Sequence, residues 1–242
     1  MTMSGGSLSK PLRGSNPGRD GTNGEFFRNG IRYVRAPVPV HFPEFDDVSE
    51  SKRHLEQRTL LYEILKLHFG ASALIGSEQF VYWDPTDPAQ CLSPDAFVRL
   101  GAPNSEFRSW KVWERGAPDV AVEIISHSDA RDSVWERKFE KYRRLGVREL
   151  VRFEAEDDGN VSLRVWDFIE NDLVEREPLE RVAISRVLPG AWVVVDDYDG
   201  IPRLRLSRDA EGKDPYPTAA ERADHAEARV RELEAALAEL RR

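Results

Sequence analysis

Three residues of this sequence are of the type and spacing to do chemistry together. Asp95 follows Pro94 at the start of a β-like run, Glu123 lies 28 residues further on inside Asp119-Val120-Ala121-Val122-Glu123-Ile124-Ile125, and Lys138 sits in the amphipathic stretch beyond. Two carboxylates on neighbouring strands can share one divalent cation. Oxygen ligands select a hard ion, and Mg2+ (or Mn2+) takes one or two carboxylates, keeps waters and recruits substrate phosphates. Asp95 and Glu123 are therefore the candidate metal ligands, and a phosphate ester is the natural substrate of such a site.

Successive side chains of a strand point to opposite faces, so Asp119, Ala121, Glu123 and Ile125 share one face and Val120, Val122 and Ile124 the other. The second set is wholly apolar and is expected in the core. An acid in so apolar a strand is costly to bury unless it is paired or metal-bound, which makes Glu123 the residue most in need of an explanation. Two plainer readings stay open at this point. Glu123 could end the buried part of its strand and meet solvent or an arginine, and Asp95 could be a turn aspartate after proline.

The positioning elements follow from periodicity. A helix is expected from Ser133 to Leu145, with Trp135, Phe139, Tyr142 and Leu145 as its apolar stripe, Lys138 inside that stripe, and Arg137, Lys141 and Arg144 on another face. The Lys138 ammonium either snorkels to water or reaches the acidic pair, where it would polarise an attacking water or steady phosphate charge. An earlier helix is expected over Asp46–Phe69, with Ser49 or Ser51 as N-cap, Leu55, Leu60, Leu61, Ile64, Leu65 and His68 as its stripe, and Gly70 as its stop. Strands are expected at Glu78–Trp83, Asp95–Leu100, Val120–Ile125 and Glu149–Phe153. A hairpin-like pair, Val161–Asp167 and Asp172–Arg176, turns at Glu170-Asn171. This order predicts an α/β sheet flanked by helices.

The ends differ in composition. The first 30 residues hold seven of the sixteen glycines, and residues 1–36 carry six Lys/Arg against Asp20 and Glu25, so 1–36 reads as a flexible basic arm ahead of a domain over 37–210. Beyond Pro217, Ala219, Ala223, Ala226, Val230, Leu233, Leu237 and Leu240 recur at alternating spacings of four and three. Residues 217–242 therefore read as a coiled-coil helix, and a homo-oligomer joined through it is expected.

Bulk chemistry narrows the classes. The net charge of -8 argues against a surface coated in basic residues for general nucleic-acid binding, though not against a local basic groove. Cys91 is the one cysteine, which excludes an internal disulfide and a thiolate zinc cluster. The histidines at 41, 54, 68, 127 and 225 lack the paired helical spacing of a zinc protease. No apolar stretch approaches the roughly 18 residues of a membrane span, and the N-terminal segment lacks the apolar centre of a secretory signal, so no membrane partner and a cytoplasmic location are expected.

The ordered series of motifs resembles the Uma-two family of endonucleases, within the PD-(D/E)XK superfamily. It comprises Pro94-Asp95-Ala96-Phe97-Val98, Ala117-Pro118-Asp119 through Ser126, Lys138 to Tyr142, Leu145-Gly146-Val147-Arg148-Glu149, and Leu188-Pro189-Gly190-Ala191-Trp192. The resemblance implies a restriction-endonuclease-like mixed β-sheet flanked by helices, with Asp95 at the motif's aspartate and Glu123 at its acid. The motif's lysine falls on Ile125. Members of the family commonly carry a lysine in the following helix instead, which matches Lys138. Smaller departures are Ser126-His127-Ser128 for Ser-Pro-Ser, with His127 a secondary candidate for the site, and Leu150-Val151-Arg152 for Tyr-Trp and an aliphatic residue. The expected function is Mg2+-dependent cleavage of DNA by Asp95, Glu123 and Lys138. The alternative is a catalytically inactive scaffold that binds proteins through its coiled-coil tail. A glycosidase is a poorer match, because Trp83 and Trp110 form no convincing sugar platform.

Overall fold

The computed structural model describes residues 25–28, 30–34, 51–103, 105–125, 132–155, 161–177, 181–197 and 199–241. The chain divides into two compact units, Met1–Glu44 and Phe45–Arg242. In the first, β1 (Glu25–Arg28) and β2 (Ile31–Val34) form an antiparallel hairpin where the sequence signalled no element. Most of the arm's other residues lie outside the described ones.

The second unit opens with α1 (Lys52–Phe69). Ser51 is its N-cap, accepting a hydrogen bond from the His54 backbone N–H at 3.1 Å, and Gly70 closes it. Leu61, Ile64, Leu65 and Phe69 are buried, but Leu55, expected in the stripe, is exposed. His54 and Gln57 face the protein in its place, because polar atoms meet this end of the helix. The Gln57 amide donates to the Leu204 carbonyl at 2.9 Å and accepts from the Leu204 N–H at 3.0 Å.

Six strands form the main sheet: β3 (Ala73–Gly76), β6 (Ala96–Leu100), β8 (Val120–Ile125), β9 (Glu149–Ala155), β10 (Val161–Ile169) and β11 (Asp172–Glu175), in the order β11-β10-β9-β8-β6-β3. All neighbours are antiparallel except β8 and β9. A parallel pair needs a long crossover, and α3 (Asp132–Leu145) lies within it. Two small sheets accompany the large one. The first comprises β4 (Val81–Tyr82), β5 (Cys91–Leu92) and β7 (Trp110–Lys111), the last followed by a single turn, α2 (Val112–Arg115). The second comprises β12 (Val182–Ile184), β13 (Ala191–Asp196) and β14 (Pro202–Ser207). The strand expected over Glu78–Trp83 shrinks to Val81–Tyr82, since Glu78 adopts a left-handed φ of 64° that breaks extended pairing.

Helices cover both faces of β8, so every residue of that strand is buried. On one side Val120, Val122 and Ile124 pack with Leu61, Leu65 and Phe69 of α1 and with Trp192 and Leu204 of the small sheet. On the other, Ala121 and Ile125 pack with Phe97 and with Trp135, Tyr142 and Leu145 of α3. The mixed sheet flanked by helices is thus the architecture expected.

The Leu188–Trp192 segment is tied to the sheet by the fully buried Glu149. Its Oε1 accepts from Ser185 Oγ and Trp192 Nε1, each at 2.7 Å, and its Oε2 from the Arg186 N–H at 2.7 Å and Arg176 Nη2 at 2.8 Å. Gly190 has a φ of 105°, and a Cβ there would lie 1.7 Å from the Ser207 carbonyl oxygen, so only glycine fits.

The chain ends in α4 (Ala219–Leu240), capped by Thr218 and Glu221 in a reciprocal capping box. The Arg205 guanidinium holds Glu221 through bonds of 2.8 and 2.7 Å. None of its residues is buried, and the seam positions Val230, Leu233, Leu237 and Leu240 are 48–84% exposed.

Candidate active site

The β6–β8 register, Phe97↔Ala121 and Ala96↔Val122, places Asp95 opposite Glu123 when continued by one pair. Asp95 precedes the paired residues of β6, so the ladder does not fix the direction of its side chain. Both acids are buried, Asp95 at 6% exposure and Glu123 at 0%, so Glu123 neither ends the buried stretch nor meets solvent.

Each carboxylate has its own set of donors. Asp95 Oδ2 accepts from the Ile124 N–H at 2.7 Å, which ties the two strands together past the end of their ladder. Asp95 Oδ1 lies 3.1 Å from His54 Nε2, and that same nitrogen lies 3.0 Å from the Ile124 carbonyl oxygen. A carbonyl oxygen only accepts, so Nε2 carries the proton in this arrangement. Glu123 Oε2 accepts from Lys138 Nζ at 2.7 Å, and Oε1 accepts from the Tyr142 hydroxyl. Lys138 and Tyr142 are four residues apart in α3 and so share one face of it.

Burial pushes the Glu123 carboxyl up to about 7, against the pull of the Lys138 ammonium, and the Asp95 charge adds to the rise. Burial also holds the Tyr142 phenol well above its ordinary value, with the negative charge of Glu123 behind it. Lys138 thus reaches the acid rather than snorkelling away, with a quarter of its side chain still in contact with solvent.

Among the described residues no group of three His, Cys, Asp or Glu side chains is arranged to hold a metal ion. The reason lies in the directions of the carboxylates: Glu123 faces α3 while Asp95 faces Ile124 and α1. The donor chemistry nevertheless suits a divalent cation. Two buried, mutually repelling carboxylates, one raised to about 7, gain from a positive charge between them.

Ile125, at the motif's lysine position, packs with Trp135 and Tyr142 in the α3-side core. Arg152, in register with Glu123 on β9, pairs with Glu154 at 2.8 Å and lies over the Trp135 ring at 4.7 Å. Asp119, at the other end of β8, accepts from the Leu100 N–H at 2.8 Å and from Arg148 at 3.1 Å, a structural clasp remote from the pair. His127 lies outside the described residues. Sequence reasoning missed His54 and Tyr142. The one available signal for Tyr142 was its helical spacing from Lys138, and for His54 its place in the first turn of a capped helix.

No curated protein gives a significant match to the chain. A solved structure described as a putative nuclease from Anabaena variabilis is similar at 12% identity, with a TM-score of 0.41, over 66% of this chain and 80% of that one. A family profile, Uma2, described as "Putative restriction endonuclease", matches residues 47–196, a span that contains His54, Asp95, Glu123, Lys138 and Tyr142. The chain therefore belongs to the Uma2 family, of the restriction-endonuclease type.

Proposed function

We infer that this protein is a metal-dependent endonuclease that hydrolyses DNA phosphodiester bonds, with Asp95 and Glu123 as ligands of Mg2+ or Mn2+ and Lys138 as the cationic catalytic group. The observation that carries this reading is the buried Asp95 and Glu123 pair on opposed strand positions, with the Lys138 ammonium 2.7 Å from Glu123. The cation would supply Lewis acidity toward a phosphate oxygen and help to activate water. The chain's own residues do the rest. Tyr142 and Lys138 fix the orientation of the Glu123 carboxylate, and the Ile124 N–H fixes that of Asp95. Lys138, partly open to solvent, presents positive charge where negative charge grows on the phosphate.

The test is cleavage of plasmid and single-stranded DNA by the purified chain with Mg2+ or Mn2+. Asp95→Ala and Glu123→Ala should each abolish it, and Lys138→Met should slow it about 100-fold or more. Cleavage that survives both acid substitutions would discard the assignment.

A second reading has one observation in its favour. Lys138 and Tyr142 donate to both oxygens of Glu123, so that this carboxylate finds its partners within the protein. On this reading the domain is a scaffold that self-associates or binds partners through α4. Calorimetric titration with Mn2+ separates the two, since a chain that takes up no metal at millimolar concentration cannot run the first mechanism.

A further inference from the structure

We propose that α4 is one strand of a parallel, in-register, two-stranded coiled coil, and that its second strand is α4 of another copy of this chain. Partner, direction and strand number all follow from α4 and the charges beside its seam, so they hold whether the Asp95 and Glu123 site is active or inactive.

The helix meets its own domain on one side. With Ala223, Val230 and Leu237 at the a positions of the heptad and Ala219, Ala226, Leu233 and Leu240 at d, Glu221 and Ala228 fall at f, on the opposite side of the helix. Among the described residues of α4 those two alone are half-buried, and the others are exposed. Arg205 grips Glu221 on that f side, through bonds of 2.8 and 2.7 Å. The domain therefore holds the back of α4, and the seam faces away from it.

A β-branched residue at a beside leucine at d, as at Val230 and Leu233, favours two strands. The flanking charges then choose the direction. Arg222 and Arg229 occupy g, and Glu227 and Glu234 occupy e; Ala220 and Ala236, at the remaining e and g positions of the helix, carry no charge. In a parallel, in-register pair each g residue meets the e residue five positions further along the other chain. Arg222 then meets Glu227 of the second copy and Arg229 meets its Glu234, and two-fold symmetry repeats both pairs. In an antiparallel pair g meets g and e meets e, so arginine would face arginine and glutamate would face glutamate. The same four side chains attract in one direction and repel in the other, which is how flanking charges exclude a wrong pairing. Within one chain Arg229 pairs with Glu232 at 3.0 Å and Glu227 with Arg231 at 3.7 Å, all of them exposed. Exposed pairs contribute little, so exchanging them for pairs across the seam costs little. Both chains enter a parallel coil from the same end, which sets the two domains side by side there.

The experiment uses the full chain and reads direction through a disulfide. In a Cys91→Ser background, Leu240→Cys puts the one thiol at the last d position of the seam. Parallel strands bring the two thiols together, and mild oxidation should link the chains as covalent dimers. Antiparallel strands hold them apart by the length of the helix, about 30 Å, and no link forms. Sedimentation equilibrium on charge variants is the second measurement. Arg222→Glu with Arg229→Glu, and separately Glu227→Arg with Glu234→Arg, should each weaken self-association at least about 10-fold, and the fourfold exchange should restore it. All four positions are exposed, so the domain folds without them. A dimer that fails to link, or one that tolerates both charge reversals, overturns the parallel register. A mass of three or more chains overturns the two-stranded coil, and a single-chain mass at every attainable concentration overturns the proposal as a whole.

Discussion

Glu123 sets the energetics of the candidate site. Its carboxyl titrates near 4.5 in an unfolded chain and at about 7 in the fold, so the native state holds the proton more tightly. A raised acid of this kind stabilises the fold most below pH 4.5, and that contribution drains away as pH rises through 7. Glu123→Gln should therefore stabilise the metal-free protein at pH 8, by on the order of 1–3 kcal/mol, and make almost no difference at pH 4. Denaturant melts at the two pH values read this directly, and a destabilised variant at pH 8 would contradict it. Tyr142→Phe removes one donor from a fully buried carboxylate and should cost about 1–3 kcal/mol, measured the same way. The burial of Glu123 was legible in the sequence because an acid inside an apolar run has few cheap explanations, whereas Asp95, at the start of its run after Pro94, stood out only within the ordered series of motifs. His54 was not legible, since it meets Ile124 and Asp95 only through tertiary contact, across a separation of 70 residues from Ile124.

At the level of elements, α3 does two jobs. It spans the crossover that lets β8 and β9 lie parallel, and it carries Lys138 and Tyr142 to the strand before it. Its amphipathic period made it readable, with boundaries within one residue of those seen. The short strands were not readable. A pair such as β4 and β5 has two residues each, too few for any period, and is fixed by its neighbours rather than by its own residues. The Glu149 cradle gives meaning to the Trp192 segment. Trp192→Phe should leave Glu149 Oε1 one donor short in the core, at a cost of about 1–3 kcal/mol in equilibrium unfolding. The start of α4 is held by charge. Arg205 keeps the Glu221 carboxyl at about 2, below its ordinary 4.5, so the clasp is complete above pH 4.5 and fails as pH falls toward 2. Nuclear magnetic resonance shifts of Thr218 should follow that titration, and Arg205→Gln should move its midpoint up.

For the whole molecule, α4 leaves an apolar seam uncovered over Val230, Leu233, Leu237 and Leu240. A helix that buries none of its own residues gains little from its own domain, and a second α4 could cover that seam. Light scattering of the full chain should give a multiple of 27.6 kDa, and Leu233→Glu with Leu237→Glu should return it to a single chain. A single-chain mass for the unaltered protein would exclude this role for α4. The heptad pattern was visible in the sequence, but whether its seam is covered depends on a surface that periodicity does not describe. On the proposed reading, the -8 net charge would make the approach of DNA sensitive to ionic strength, since a groove that received it would work against the remainder of the surface.

The parallel pairing of β8 with β9 also has a consequence in time. Glu123, Lys138 and Tyr142 belong to one strand–helix unit and can meet as soon as that unit collapses, whereas Asp95 and His54 wait on closures over 29 and 70 residues. Contacts of such separation form slowly, because loop entropy must be overcome before they are rewarded. Refolding should therefore protect the Tyr142 end of the site from hydrogen exchange before the Ile124 N–H, leaving an interval in which the acid–lysine pair is made and Asp95 is not yet seated. A nuclease built this way would stay harmless until the last of its long-range contacts had closed.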